Sequence, residues 1–212
     1  MPCCLQSSVR APVKLFLASS SPGKLAEYRG LAGTSKASAP IELELVQGFD
    51  SLPVFDESAP TFAENAAGKA LHNSRLREGL VFADDSGLVV QALGGAPGVH
   101  SARYAGPQAT NSQRIAKLLN EMSSLAGDQR EAYFVCAIAL AKQGRAIAIV
   151  TDRVDGQILG TPRGSGGFGY DPVFYFPALE KSFAELTAEQ KNQHSHRGKA
   201  FRKLLAALSG MI

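Results

Sequence analysis

Two adjacent carboxylates and a hydroxyl, Asp84-Asp85-Ser86, follow the short apolar run Leu80-Val81-Phe82-Ala83 and precede Gly87. Carboxylate oxygens are hard donors that hold divalent cations, and a carboxylate beside such a cation can also take a proton from water. The apolar run reads as a buried strand. Ser86-Gly87 reads as a turn that exposes both aspartates at its C-terminal end, where open α/β sheets place ligands. Side chains of adjacent strand residues point to opposite faces, so only in a turn can both aspartates approach one ion. Asp84 and Asp85 are thus the candidate catalytic pair, one a metal ligand and the other a base. The competing reading is an Asx-type turn capping the next segment. Glu57, with Asp56 beside it, stands in a polar loop and can supply a further metal oxygen, or simply be solvated.

Three other stretches carry chemistry. Ser19-Ser20-Ser21-Pro22-Gly23-Lys24 lies between a predicted strand and a predicted helix, where free backbone amides and the positive dipole end suit an anion and Lys24 adds a charge. It lacks the GxxxxGK[ST] pattern, and a well-capped junction would look the same. Gly164-Ser165-Gly166-Gly167-Phe168-Gly169-Tyr170-Asp171-Pro172 can bring Phe168 against a flat base while Asp171 bonds a polar group nearby; a flexible surface loop is the alternative. Ser195-His196-Arg197 opens the last helix, with Lys191 upstream and Lys199 beyond, and offers donors to carbonyl or phosphate oxygens. A basic helix that solvates itself or touches nucleic acid would have the same composition. Asn65, Lys69 and His72 share a helix face that is expected to meet solvent, which leaves Lys69 as the phosphate candidate. Taken together, the stretches point to a phosphate-rich, base-bearing ligand with a metal.

The elements that must position these groups are strands near 14–18, 41–46, 80–83 and 88–92, a hairpin of long strands at 131–141 and 146–155 about Gln143-Gly144, and a strand near 173–176. Helices are predicted at 24–31, 111–122 and 195–208, and a longer one runs from Thr61, whose Thr61-Phe62-Ala63-Glu64 start has the capping-box pattern, to about Arg77. Strands and helices mix without strict alternation. The fold class is therefore α/β or α+β, a mixed sheet with flanking helices.

With 212 residues, 45% hydrophobic and 19% charged, the chain can bury a substantial core without disulfides. A formal net charge of +3 does not mark a nucleic-acid-binding protein, and no apolar stretch approaches the roughly 18 residues of a membrane span. Residues 1–12 lack a secretory h-region and read as a disordered leader before one domain at 13–212. Cys3, Cys4 and Cys136 have no CxxC spacing and read as reduced thiols of a cytoplasmic protein.

Jointly, Phe62-Ala63-Glu64-Asn65-Ala66, Ala83-Asp84-Asp85-Ser86-Gly87-Leu88, Gly94-Gly95-Ala96-Pro97-Gly98 with Ser101-Ala102-Arg103-Tyr104, Gly166 to Pro172, and Ser195 to Gly198 occur in the order found in the inosine/xanthosine triphosphate pyrophosphatases. The chain closely resembles that family from Lys14 to Leu208. The resemblance implies an elongated fold of two lobes around a central nucleotide cleft, a homodimer, magnesium dependence, and hydrolysis of ITP, dITP and XTP to the monophosphate and pyrophosphate. By motif position, Ser19 to Lys24 would hold the triphosphate, Asp85 would be proton acceptor and metal contact, and Ser86 would touch substrate. Phe168, Gly169, Tyr170 and Asp171 would frame base and sugar, Lys191 would contact substrate, and His196-Arg197 would read the 6-keto edge. Glu57, with Asp56 as a further candidate, would complete the metal site. One departure stands out. Bacterial members usually carry Thr-Gly-Asn where this chain has Ser19-Ser20-Ser21, and Leu17-Ala18-Ser19-Ser20-Ser21-Pro22 is similar to the Maf-type pyrophosphatases that act on dTTP and UTP. A nucleotide-binding module without catalysis is the third reading; it leaves the aspartate pair unexplained.

Overall fold

A computed structural model describes residues 11–34, 40–46 and 55–210. The expected leader lies outside the described residues up to residue 10. Seven strands form one mixed sheet in the order β2-β1-β3-β4-β5-β6-β7: β1 Val13–Leu17, β2 Ile41–Leu45, β3 Leu80–Val90, β4 Glu131–Lys142, β5 Arg145–Ile158, β6 Phe174–Phe176 and β7 Lys181–Ser182. β1 is parallel to β2 and β3, and every later pairing is antiparallel. The helices are α1 Pro22–Gly33, α2 Phe62–Arg75, α3 Asn111–Glu121, α4 Ala188–His194 and α5 His196–Ser209.

The predicted hairpin is β4 and β5, and β4 is buried from Phe134 to Ala141, as a strand covered on both faces must be. One core packs Leu15, Leu17 and Phe82 against Tyr28 of α1 and Phe201 and Leu204 of α5. On the opposite face, Val81, Ala83, Ala137 and Ala139 meet Ala66 and Ala70 of α2, small side chains that let the helix lie close. Farther along β3 and β4, Leu88, Val90 and Phe134 pack together with Phe174 of β6 and with Ile115 and Leu118 of α3. The cavity described below opens where these cores meet.

Three expectations are corrected. The turn expected at Ser86-Gly87 does not form, because β3 runs unbroken to Val90 and pairs residue by residue with β4, Asp84 opposite Ile138 and Asp85 opposite Ala137. Gly87 serves close approach instead. A Cβ there would lie 2.6 Å from the Gly98 carbonyl and would also strike Ser101 Oγ and the Phe62 ring. The polar face of α2 does not meet solvent, since Asn65 and Lys69 are buried against β3. The capping box at Thr61 is half formed: Thr61 Oγ1 accepts from Glu64 N at 3.2 Å, but the glutamate carboxylate takes the threonine hydroxyl at 2.7 Å. α4, a seven-residue helix immediately before Ser195, was not anticipated; Ser195 then caps α5 by accepting from Gly198 N at 3.1 Å.

Candidate active site

The unbroken strand separates the two aspartates. Asp84 shares the face of Phe82, beneath α1 and α5, and is fully buried, whereas Asp85 shares the face of Val81 and Ala83, beneath α2. Between the cores lies a cavity of about 500 Å³, within the range of small-molecule sites, to which Asp85 contributes but Asp84 does not.

One end is built from the serine turn. Ser19 to Lys24 all line the cavity at the N-terminus of α1, which has Pro22 in its first turn. Ser21 Oγ accepts from Lys24 N at 3.4 Å, so its hydroxyl caps the helix, and Ser19 Oγ accepts from Ser21 N at 3.2 Å. Lys24 Nζ lies 3.1 Å from Asp84 Oδ2. Across from the turn, Lys69 Nζ meets Glu57 Oε1 at 2.5 Å, and both line the cavity beside Asp85. Asp85 Oδ1 accepts from Ser86 N at 3.0 Å and its Oδ2 from Asn65 Nδ2 at 3.1 Å. Asn65 cannot flip cheaply, because its Oδ1 accepts from Ala59 N while its Nδ2 also donates to Ala59 O. Asp56 is exposed and does not line the cavity.

The two aspartates differ in proton affinity for reasons visible in this geometry. Burial raises the Asp85 carboxyl above its ordinary value; Lys24 and Lys69 oppose that, and the Glu57 charge adds to it. Burial also pushes Asp84 upward, but the summed fields of Lys24, Arg197 and Lys69 outweigh it and hold Asp84 ionised. Asp85 is thus the carboxylate suited to accept a proton, and Asp84 a fixed negative charge.

The wall adjoining the serine turn is aromatic and cationic. Phe168, Gly169, Tyr170 and Asp171 line the cavity; Tyr170 Oη donates to Ser101 O at 3.0 Å, and Asp171 Oδ2 accepts from Phe168 N at 2.8 Å and Lys191 Nζ at 2.6 Å. Phe168 lies against Gly23, where an added Cβ would come within 2.7 Å of the ring. His196 stacks on Phe134 with centroids 4.8 Å apart, and its buried Nδ1 has no partner among the described residues. Burial, then the charges of Arg197, Lys191 and Lys24, hold its imidazole neutral, with a proton affinity well below the histidine norm. Arg197 donates to Ser86 Oγ at 2.8 Å and pairs with Glu27. Glu27 also binds Lys191 Nζ at 2.5 Å.

Every candidate catalytic, substrate-binding and metal-ligating residue therefore lines one cavity except Asp84, one layer beneath it, and Asp56; Asn65, His72, Ser195 and Lys199, also singled out in sequence, do not line it. Sequence reasoning missed Glu27, Arg114 and Asn111, of which the last two line the cavity, and it set Asn65 aside as solvent-facing. Glu27 follows Lys24 by three positions and so shares its helix face, a spacing that points it inward once Lys24 is placed. The arrangement can hold an anionic chain between lysines, set a carboxylate base beside it, and receive a flat polar ring against Phe168.

The chain is similar to known proteins over nearly its whole length. The model of the Ham1 family matches residues 15–207. The dITP/XTP pyrophosphatase of Geobacillus kaustophilus is 49% identical over 191 residues, 90% of this chain and 92% of that relative. That of Gloeobacter violaceus is 48% identical over 197 residues, covering 92% and 94%. A HAM1 protein from Coxiella burnetii superposes with a TM-score of 0.81 at 39% identity, over 93% of this chain and 99% of that one. With a family match over residues 15–207, relatives nearly half identical and the fold in agreement, the chain belongs to the Ham1 family.

Proposed function

We propose that the protein hydrolyses the non-canonical purine nucleoside triphosphates ITP, dITP and XTP to the monophosphate and pyrophosphate, and so clears them from the precursor pool. The observation that carries this reading is one cavity joining a lysine-flanked helix start, a carboxylate of raised proton affinity and an aromatic, arginine-bearing end. The curated relatives named dITP/XTP pyrophosphatases support it. The same reading makes the enzyme a homodimer of the cytoplasm.

Glu57 and Asp85 fit magnesium. Both present hard oxygens to the cavity, and each Asp85 oxygen accepts a single hydrogen bond, leaving lone pairs free. Among the described residues no cluster of three or more His, Cys, Asp or Glu stands ready to hold a metal, so Glu57 and Asp85 are the two side chains proposed for it. Bound there, magnesium would supply charge neutralisation at the cleaved phosphoanhydride.

The chain's own groups do the rest. The α1 amides, Lys24 and Lys69 draw the triphosphate along the turn and offset its charge. Asp85 orients a water toward the α-phosphorus and takes its proton, and pyrophosphate leaves. Phe168 stacks on the base. Neutral His196 and Arg197 offer hydrogen bonds to the 6-keto edge, and facing adenine's amino group they would leave buried donors unpaired, a mismatch worth on the order of 10⁴-fold. The test is pyrophosphate release from ITP, dITP, XTP, GTP, ATP, dTTP and UTP, with and without EDTA. Preference for the first three, abolished by EDTA, is expected. Preference for dTTP or UTP would assign a Maf-like specificity, and no release would leave a binding module.

A further inference from the structure

Beneath the cavity floor the charged side chains alternate in sign without a break. Lys24 meets Asp84 at 3.1 Å, Arg197 Nε lies 3.5 Å from the same Asp84 Oδ2, Arg197 pairs with Glu27, Glu27 binds Lys191 at 2.5 Å, and Lys191 binds Asp171 at 2.6 Å. Asp171 in turn holds the backbone N–H of Phe168. One end of this chain of charges stands at the turn assigned to phosphate and the other at the ring assigned to the base, which also packs directly on Gly23 of the turn. Its branch point is a single oxygen near the Lys24 end: Asp84 Oδ2 faces Lys24, Arg197, the Ser86 hydroxyl at 3.4 Å and the Cys136 thiol at 3.9 Å.

That branch point is slack. At 3.5 Å the Arg197 Nε contact is an ion pair without a formed hydrogen bond, and neither this Nε nor the fully buried Asp84 Oδ1 has a hydrogen-bond partner among the described residues. Buried polar groups are almost always satisfied, and sites often tighten their hydrogen bonds only when substrate is bound. A guanidinium fixed by a keto oxygen on its cavity side would be fixed also on its Asp84 side. Lys24 shares that carboxylate, so the ordering is paid for once and the second ligand gains from it.

Resting on the nucleotide reading above, we propose that Asp84 is a positioning residue that couples the two halves of the site: filling the base end with a 6-keto purine tightens the phosphate end through the oxygen shared by Arg197 and Lys24. Base recognition then acts on where Lys24 holds the phosphates, and selectivity is expressed in turnover as well as in binding. By linkage, phosphate must tighten the base by the same factor.

The experiment splits the substrate. Calorimetric titration of the wild-type protein with pyrophosphate and magnesium, alone and with saturating inosine or adenosine, is expected to show inosine tightening pyrophosphate about 5-fold or more, and adenosine leaving it unchanged. In Asp84→Asn each ligand should still bind alone while the coupling factor falls to about one, a change that mere loss of stability would not produce. Equal pyrophosphate affinity with and without inosine in the wild type overturns the proposal without reference to any variant, as does coupling that survives in Asp84→Asn. If the wild-type protein releases pyrophosphate from ITP, that failure leaves the function standing. If it neither turns over ITP nor binds the two fragments, the nucleotide reading and the proposal fall together.

Discussion

Replacing Asp85 by asparagine separates what this side chain does for the fold from what it does for the reaction. Both of its oxygens accept from donors that cannot turn away, the Ser86 backbone N–H at 3.0 Å and the Asn65 amide at 3.1 Å, which Ala59 locks in place. An asparagine must point its own NH₂ at one of them, and a buried donor left facing a donor costs about 1–3 kcal/mol. Against this, burial already penalises the Asp85 charge, as its raised proton affinity records, and a neutral amide escapes that penalty. The two effects oppose each other, so the stability change should stay within about 1 kcal/mol. Activity has no such offset. Loss of a general base costs about 10²–10⁴-fold, so kcat for ITP should fall by about 10³-fold, or about 4 kcal/mol in the barrier. Urea unfolding gives the first quantity and initial rates of pyrophosphate release at saturating ITP give the second. A folded Asp85→Asn protein with kcat within tenfold of wild type would refute the assignment of the base.

Three further outcomes follow from the packing and charges. Glu27→Gln removes the carboxylate shared by buried Arg197 and Lys191; each cation keeps Asp84 or Asp171, so urea unfolding should show a loss of about 2–3 kcal/mol, below the usual cost of stranding a buried charge, with a raised KM for ITP. His196 is neutral when folded and titrates near 6.5 when unfolded. The unfolded state therefore binds the extra proton. Stability should be indifferent to this group above about pH 6.5 and fall below it by at most about 1.4 kcal/mol per pH unit, a slope that unfolding titrations of His196→Gln should lack. Glu27 and Asp84, held below their ordinary values, add a loss of the same sign only at lower pH, below about 4. Gly87→Ala should cost about 1–3 kcal/mol in the same unfolding assay, because the new Cβ meets the Gly98 backbone carbonyl, which no rotamer change can move.

The local elements were legible because their patterns are local. Long runs of β-branched and apolar residues announced β4 and β5, and Thr61 and Ser195 announced helix starts. The cavity-lining groups were legible as motifs. What failed did so for want of partners distant in sequence. Asp84 and Asp85 look like a turn when only Ser86-Gly87 is in view. Lys24, 60 positions away, and Arg197 are what make a buried aspartate tolerable inside a strand. Gly87 resembles a turn glycine, yet its missing Cβ makes room for Ser101 and Gly98. The usual rule sends the polar face of α2 to solvent, but Asn65 and Lys69 find Asp85 and Glu57 across the site. Glu27 had no motif of its own, and its importance arises from two cations near the other end of the chain.

The most direct test of the central claim is hydrolysis of ITP in water enriched in ¹⁸O, with mass analysis of both products. Water guided by Asp85 to the α-phosphorus predicts one ¹⁸O in the inosine monophosphate and none in the pyrophosphate. Label in the pyrophosphate would place the attack on the β-phosphorus and contradict the account.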